Sequence, residues 1–258
     1  MSDFLAKTDA NPPLWAKDII GEWNDQKLRL YGDFLRRHYW TDQGSINVFC
    51  INGTEHPDYY GLTWYELLHR GKRMDRNSSM LECHLGYYLA TDRTQLSMNF
   101  NRYDGIDWYI GADGNHRSGL ARFLFHEREM VYLHGVHLSH YEFDEPLLAL
   151  YLALREELSQ HIAQGFYMDL EVRRIHRGRQ DTAGWKSDNY STSLYFSSGS
   201  WRREYQDNPA VSLITAARAI TDPADGWRLI HELRTWRDQR AAANRTGFFH
   251  RLTGWWRQ

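Results

Sequence analysis

The sequence contains little cysteine and no long run of apolar residues, and each shortage excludes a class of protein. Cys50 and Cys83 are the two cysteines in 258 residues, too few for the disulfide framework of a small secreted domain. No apolar stretch approaches the roughly 20 residues that a membrane-spanning helix needs. The N-terminal residues MSDFLAKTD lack the apolar segment of a signal peptide. We therefore expect a cytoplasmic protein without a transmembrane segment.

The chain also lacks a large net charge of either sign. Its 31 Lys and Arg residues nearly balance its 33 Asp and Glu residues, so nothing attracts the whole protein to nucleic acid or to an anionic membrane. Aromatic residues are abundant instead, with 11 Trp and 16 Tyr. Most of them are expected in a core, although such rings also stack on bases.

The most informative stretch is Ile106–Glu127, which predicts a strand, a Gly-rich turn and a helix. Apolar side chains occupy every second position from Ile106 to Ile110, which is the pattern of a strand. Asp113-Gly114 is a turn dipeptide. From Leu120 onward the apolar residues recur at helical spacing. The turn therefore lies at the N-terminus of a helix.

Such a helix start suits an anion, because its first N–H groups lack intrahelical acceptors and carry the positive end of the helix dipole. Gly114 lets the backbone approach a phosphate closely, and Arg117 adds a forked donor for phosphate oxygens. We predict that Gly114 and the amides of Asn115, His116, Arg117 and Ser118 hold phosphates. The alternative is a plain connection, since most turns of this kind bind nothing.

Several common catalytic motifs are missing. The stretch lacks the lysine and the spacing of a Walker loop, and it lacks the G-x-G-x-x-G fingerprint of dinucleotide binding. The chain contains no G-x-S-x-G nucleophile elbow. The chain therefore does not match the best-known sequence motifs of nucleotide-binding proteins and serine hydrolases.

The string DGNHRSGLA resembles the signature turn of the ParB/sulfiredoxin superfamily, which holds nucleotide phosphates with a Gly-x-x-Arg turn at a helix start. Gly114 and Arg117 match the ends of that turn, and Ala121 matches its small residue one turn later. The turn has no cysteine, so sulfinic-acid reduction is not implied. Gly119 stands where the partition proteins of the ParB branch carry a further arginine, so CTP-clamp chemistry is not implied either.

The nearest branch by resemblance is the plasmid-encoded fertility-inhibition proteins, which combine ATP hydrolysis with DNA cleavage to block transfer of competing DNA. The resemblance implies ATP or another nucleotide as ligand, with Mg²⁺ as the metal that accompanies it. We expect Arg117 to neutralise phosphoryl charge and His116 to transfer a proton, since its reference pKa is near neutrality. Asp113 adjoins the turn and is the third candidate catalytic residue, although turn formation alone explains it.

The predicted fold is α+β or α/β, with a small mixed sheet like that of the ParB/sulfiredoxin proteins. We expect an N-terminal helical segment at 1–44, the core at 45–163 and a basic, mostly helical extension at 164–258. Within them the patterns predict a helix over Leu14–Trp40, a strand over Ser45–Ile51 and a loop over Gly71–Ser79. A capping box at Thr63–Glu66 predicts a short helix through His69. The alternation of Leu96, Met98 and Phe100 before Asp104-Gly105 predicts a hairpin into the Ile106 strand. They also predict a strand over Met130–Phe143 and helices over Glu145–His161 and from Asp222-Pro223 to about Ala243.

Three further features invite functional interpretations. Alternation along a strand sends His134 and His140 to one face and His137 to the other, which disfavours a metal centre built from them. A group that we call the arginine cluster is dense enough to bind DNA or to form a solvated face: Arg173, Arg174, Arg177 and Arg179. The aromatic tail, Asn244–Gln258, is expected to dock on the body, to bind a protein partner, or to lie on a membrane surface.

The leading function from sequence is thus an ATPase or DNA nuclease of a mobile element that inhibits DNA transfer. A DNA-binding plasmid or phage regulator without catalysis is the first alternative, and a small-molecule kinase that uses the same turn is the second. The sequence does not identify the metal ligands or the nucleotide base.

Overall fold

The computed structural model describes residues 3–91, 95–103, 105–203, 206, 209–217 and 219–254. They form helices and a mixed sheet, which confirms the α+β prediction. The chain divides into two compact units. Unit 1 contains Met1–Phe143 and Arg177–Asn189, and unit 2 contains Asp144–His176 and Tyr190–Gln258. The predicted boundary near residue 164 is therefore wrong, because the chain leaves unit 1 after Phe143 and returns to it later.

Unit 1 is organised around a mixed sheet. Its strands are β1 (Gly21–Glu22), β2 (Leu35–Asn47), β3 (Ile51–Thr54), β4 (Gln95–Arg102), β5 (Trp108–Ile110) and β6 (Tyr132–Phe143). They lie in the order β1-β3-β5-β4-β6-β2. The β1–β3, β3–β5 and β4–β6 pairs are parallel, whereas β4–β5 and β2–β6 are antiparallel. The hairpin predicted to join the strand around Phe100 to the next one, and the strand predicted over Met130–Phe143, are both confirmed.

Helices of unit 1 pack on this sheet to form its core. They are α1 (Asp3–Ala10), α2 (Gln26–Tyr31), α3 (Trp64–Arg70), α4 (Met74–Cys83), α5 (Gly86–Leu89) and α6 (Asn115–Glu127). The predicted capping box of α3 is present, with Thr63 and Glu66 exchanging hydrogen bonds. The buried Arg122 of α6 lies 4.6 Å from the Trp64 ring and 4.7 Å from the Trp15 ring, and donates to the carbonyl of Ile51. These contacts fix α6 against β3.

Two local predictions in unit 1 are wrong. Of the helix predicted over Leu14–Trp40 and the helical segment predicted at 1–44, only short helices remain, because β2 begins at Leu35 and pairs with β6 along most of its length. Long-range pairing overrides the local helical spacing there. The loop predicted over Gly71–Ser79 contains α4 instead, whose Met74 and Leu81 are buried while most of its polar residues face outward.

Unit 2 combines helices with a hairpin. It contains α7 (Glu145–Ile162), α8 (Pro209–Ala217), β9 (Ala219–Ile220), α9 (Pro223–Gly254) and parts of β7 (Phe166–Asp181) and β8 (Lys186–Trp201). The prediction of α7 is confirmed, and so is the start of α9, which continues past Ala243. The mostly helical extension predicted at 164–258 is corrected, because its first part is the β7–β8 hairpin.

A buried carboxylate joins the two long helices of unit 2. Glu157 of α7 is 2% exposed and accepts hydrogen bonds from Arg237 at 2.7 Å and Arg234 at 2.8 Å, both on α9. The fully buried His161 lies one turn further along α7, 3.3 Å from the same carboxylate. Opposite charge therefore compensates the burial of Glu157.

The structure describes no side chain of the aromatic tail. The backbone of α9 is helical to Gly254, but the predicted docking of Phe248, Phe249, Leu252, Trp255 and Trp256 falls outside the described residues. Among the helices that the structure describes, none is both long and apolar enough to cross a membrane.

Candidate functional site

The predicted strand–turn–helix is present, and its turn depends on Gly114. Strand β5 ends at Ile110, and α6 begins at Asn115. Gly114 occupies the N-cap position of α6 with φ 106° and ψ −2°, a left-handed conformation that strains a residue with a Cβ atom. This conformation lets the chain reverse sharply and start α6 beside the sheet.

Asp113 closes the turn. One oxygen of its carboxylate accepts the Gly114 N–H at 2.7 Å, and the other accepts Arg117 Nη2 at 3.0 Å. Both carboxylate oxygens of Asp113 therefore have partners within the turn, as the turn-forming role predicts. Asp113 remains the carboxylate nearest in sequence to the predicted phosphate ligands.

Arg117 is held from two sides at the helix start. Besides its bond to Asp113, its Nη1 donates to the Tyr87 hydroxyl at 2.7 Å. Only 19% of its side chain is exposed, whereas that of Asp113 is 68% exposed. The guanidinium is therefore oriented before any ligand arrives, which reduces the entropy lost on binding.

His116 faces Tyr59 rather than open solvent. Its Nε2 lies 3.1 Å from the Tyr59 hydroxyl, and the two rings meet edge to face with centroids 5.1 Å apart. Burial lowers the pKa of His116, and the nearby positive charge of Arg73 lowers it further. The imidazole is therefore neutral at pH 7, as a proton acceptor must be.

Asn115 and Ser118 turn their side chains inward. The Asn115 carboxamide oxygen accepts the Thr54 hydroxyl at 2.6 Å, and both residues are buried. Ser118 is fully buried, and its N–H donates to the Gly114 carbonyl at 2.7 Å. The predicted use of the Ser118 amide as a phosphate ligand is corrected, because that donor is already used inside the helix.

A depression of about 300 Å³ lies at the start of α6. Its wall combines the predicted residues with residues from the start of α4: Asp113, Gly114, His116, Arg117, Arg73, Arg76, Asn77 and Met80. Three arginines against one aspartate leave it cationic. Sequence reasoning missed Arg73 and Arg76 because it assigned the basic run GKRMDR to a loop, although that run was the available signal.

A second, larger cavity of about 930 Å³ shares Asn77, Met80 and Arg117 with this depression. Its remaining wall is mostly apolar and aromatic: Leu81, Cys83, His84, Leu85, Gly86, Tyr87 and Tyr88. A cationic pocket thus adjoins an apolar one, with Arg117 between them.

Gly119 lies at a close contact of α6 with α3 and α4. A Cβ at Gly119 would lie 3.2 Å from Leu67 Cδ2 and 3.8 Å from Met74. Helices α3 and α4 therefore pack directly on α6 at this position.

The three histidines of β6 have separate hydrogen-bond partners. His134 meets Ser45 at 2.7 Å, His137 meets Asp42 at 2.8 Å and His140 meets Tyr39 at 2.5 Å. Within the described residues, no three His, Cys, Asp or Glu side chains are placed to hold a metal ion.

The members of the arginine cluster lie on β7, and two of them are paired with carboxylates. Arg173 contacts Glu171 at 3.0 Å, and Arg179 contacts Asp188 at 2.8 Å. Arg174 lies 4.7 Å from the Tyr190 ring. Arg173 and Arg174 belong to unit 2, whereas Arg177 and Arg179 belong to unit 1. The pairing reduces the positive charge that the cluster offers to DNA, and DNA binding stays a prediction.

Comparison of the chain with protein-family models, curated proteins and solved structures gives no match. The likeness to the ParB/sulfiredoxin turn therefore rests on the residues of the turn itself.

Proposed function

We propose that this chain binds a nucleoside triphosphate at the start of α6 and hydrolyses it. The observation that carries the proposal is the cationic depression in which Arg117, Arg73 and His116 surround a glycine-capped helix N-terminus. Each of these groups favours phosphate, and together they come from two helices separated in sequence.

The phosphates would lie against the first turn of α6. The amides of Asn115 and His116 begin the helix and point out of its N-terminus, where the dipole favours negative charge. Arg117 supplies a guanidinium already oriented by Asp113 and Tyr87. Arg73 and Arg76 add positive charge from the start of α4.

The nucleoside would occupy the adjoining apolar cavity. Tyr87 and Tyr88 line it together with Leu81 and Leu85, which suits a flat ring system. Arg117 borders both cavities, so the phosphates and the ring would lie on either side of it. The lining does not select one base over another.

Hydrolysis would use His116 as the base. A neutral imidazole beside the terminal phosphate can take a proton from the attacking water as the new P–O bond forms. The bond to the bridging oxygen breaks, and Arg117 stabilises the charge on the phosphoryl oxygens. If Mg²⁺ accompanies the phosphates, Asp113 is the carboxylate of this depression that would hold it, and the ion would neutralise phosphate charge.

The likeness to the fertility-inhibition proteins supports a process for this activity, namely inhibition of DNA transfer by a mobile element, with DNA cleavage as a companion activity. The arginine cluster is the proposed DNA contact. The cytoplasm is the proposed location, and free Cys50 and Cys83 suit its reducing conditions.

The test is to incubate the purified chain with ATP and Mg²⁺ and to follow binding and products separately. Release of ADP and phosphate supports hydrolysis. Binding without turnover would favour a DNA-binding regulator, and transfer of phosphate to an added amino acid or nucleoside would favour a kinase. Absence of binding at millimolar ATP would refute the proposal.

A further inference from the structure

A second group of polar residues in unit 1 lies outside the depression, on strands β2 and β6. Asp42 Oδ1 lies 2.8 Å from His137 Nδ1, and His137 Nε2 lies 3.2 Å from Ser139 Oγ. The carboxylate, imidazole and hydroxyl therefore form one continuous series. This is the connectivity by which an aspartate and a histidine activate a serine nucleophile.

Strand geometry explains why these residues meet. His137 and Ser139 are two residues apart on β6, so their side chains leave the same face of the sheet. Asp42 lies on the paired strand β2, where the register with β6 shifts between Thr41 and Gly44. A bulge changes the direction of the side chains next to it. Here the Asp42 carboxylate contacts Nδ1 of His137.

The hydrogen bonds determine where the protons lie in the neutral imidazole. An ionised carboxylate only accepts, so the bond to Asp42 requires the proton on Nδ1. Nε2 then carries a lone pair and accepts the Ser139 hydroxyl proton. His38 Nε2, 3.4 Å from Ser139 Oγ, and Tyr141 also lie beside that hydroxyl.

Aromatic rings lie around Ser139, which suits an aryl group. The His38 ring stacks on Tyr141 with centroids 4.5 Å apart and on Trp40 with centroids 4.9 Å apart. Ser139 is 5% exposed, whereas the side chains of His137 and Asp42 are 30% and 55% exposed. The carboxylate and the imidazole are thus open to solvent, and a reagent must reach the small exposed part of Ser139.

We propose that Ser139 is a nucleophile for acyl transfer from small aryl esters, with His137 as its base and Asp42 as the residue that positions His137. Ser139 Oγ forms a bond to the ester carbonyl carbon, and His137 Nε2 takes the hydroxyl proton. The bond from that carbon to the aryloxy oxygen breaks, and the proton passes to the leaving phenoxide. Water then attacks the acyl carbon and gives a proton to His137 Nε2. The bond from that carbon to Ser139 Oγ breaks, the proton returns to Oγ, and the carboxylic acid is released.

The first experiment uses a fluorophosphonate probe on the full chain. Attack by Ser139 forms a P–O bond, breaks the P–F bond and releases fluoride with the serine proton. We expect one probe per chain, located at Ser139 by peptide mass spectrometry, and loss of labelling in Ser139→Ala. The variant His137→Ala should label about 10²–10⁴-fold more slowly, which is the usual contribution of a general base.

The matched control is Ser45→Ala. Ser45 and His134 form another serine–histidine pair on the same two strands, 2.7 Å apart, and this variant should label like the parent. The parent and the variants should rank in the same order when their rates of p-nitrophenyl acetate hydrolysis are compared. Thermal unfolding of each variant verifies that it is folded.

The role of Asp42 has its own measurement. In Asp42→Asn, ¹⁵N NMR of the imidazole should show the proton distributed differently between Nδ1 and Nε2 of His137, together with slower labelling. The side chain of Asp42 is mostly exposed, so this variant should fold even if a substitution at Ser139 does not. An unchanged tautomer with slower labelling would contradict the positioning role.

Two results would overturn the proposal as a whole. One is a parent chain that labels no faster than Ser139→Ala, and the other is equal labelling of the parent and His137→Ala. Neither result bears on the nucleotide site, because the two groups share no residue.

Discussion

Replacing Arg117 with alanine should weaken nucleotide binding while the chain stays folded. The side chain offers a guanidinium held in place by Tyr87 and Asp113 at the junction of the two cavities. Alanine removes the charge and both donors without disturbing Gly114, which shapes the turn. The substitution therefore isolates the arginine from the helix start.

The magnitude follows from the bonds lost. Charge-assisted hydrogen bonds to phosphate contribute together on the order of 2–3 kcal/mol, which corresponds to a roughly 30- to 150-fold rise in Kd. The cost to folding should be smaller. The Asp113 partner is mostly exposed, and an ion pair of that kind contributes about 0–1 kcal/mol.

Calorimetric titration with ATP measures the effect, and circular dichroism verifies the fold. The matched control is Arg29→Ala, because Arg29 also pairs with an aspartate four residues earlier, at 2.6 Å, and does not line either cavity. Tyr87→Phe should raise Kd by roughly three- to tenfold, since it removes one support of the guanidinium. An Arg117→Ala variant that binds ATP within threefold of the parent would refute the reasoning.

Three further predictions concern other parts of the chain. Because burial and then Arg73 lower the pKa of His116, kcat for ATP hydrolysis should fall on the acidic side only below pH 6.5. Arg73→Ala should move this fall in kcat to higher pH, and His116→Gln should abolish it. Glu157→Ala should lower the free energy of unfolding by about 1.5–3 kcal/mol in urea titrations, more than Gln160→Ala, because it removes the buried carboxylate that both Arg234 and Arg237 contact. Neutralising the arginine cluster should reduce the log–log salt dependence of DNA binding by about one unit per lost phosphate contact, so an unchanged slope would mark a solvated face.

Much of the strand–turn–helix could be predicted because its determinants are local. The change from alternating to helical spacing, the Asp113-Gly114 dipeptide and the Thr63–Glu66 capping box each act within a few residues. The same holds for α7, where Asp144 caps the helix by accepting the Leu147 N–H. Features that depend on residues a few positions apart can be predicted from the sequence alone.

Segments whose structure depends on distant partners were assigned wrongly. Leu28 to Leu35 has a helical apolar spacing, yet the chain turns to strand at Leu35 because β6 supplies the pairing partner. The polar start of α4 resembles a loop until Met74 and Leu81 are placed in the core. Where burial depends on a neighbour that is distant in the chain, local propensity is a weak guide.

The sequence by itself determined the turn at Gly114 and the placement of Arg117 at a helix start, because glycine conformation and helix capping are properties of adjacent residues. Only the tertiary structure brought Tyr59, Tyr87 and Arg73 to that turn, since helix packing joined residues 30–57 positions apart. It also decided that Asp42 meets His137, 95 residues away, through the register of two antiparallel strands. Register is set by side-chain packing across a whole sheet, and no short spacing in the chain encodes it.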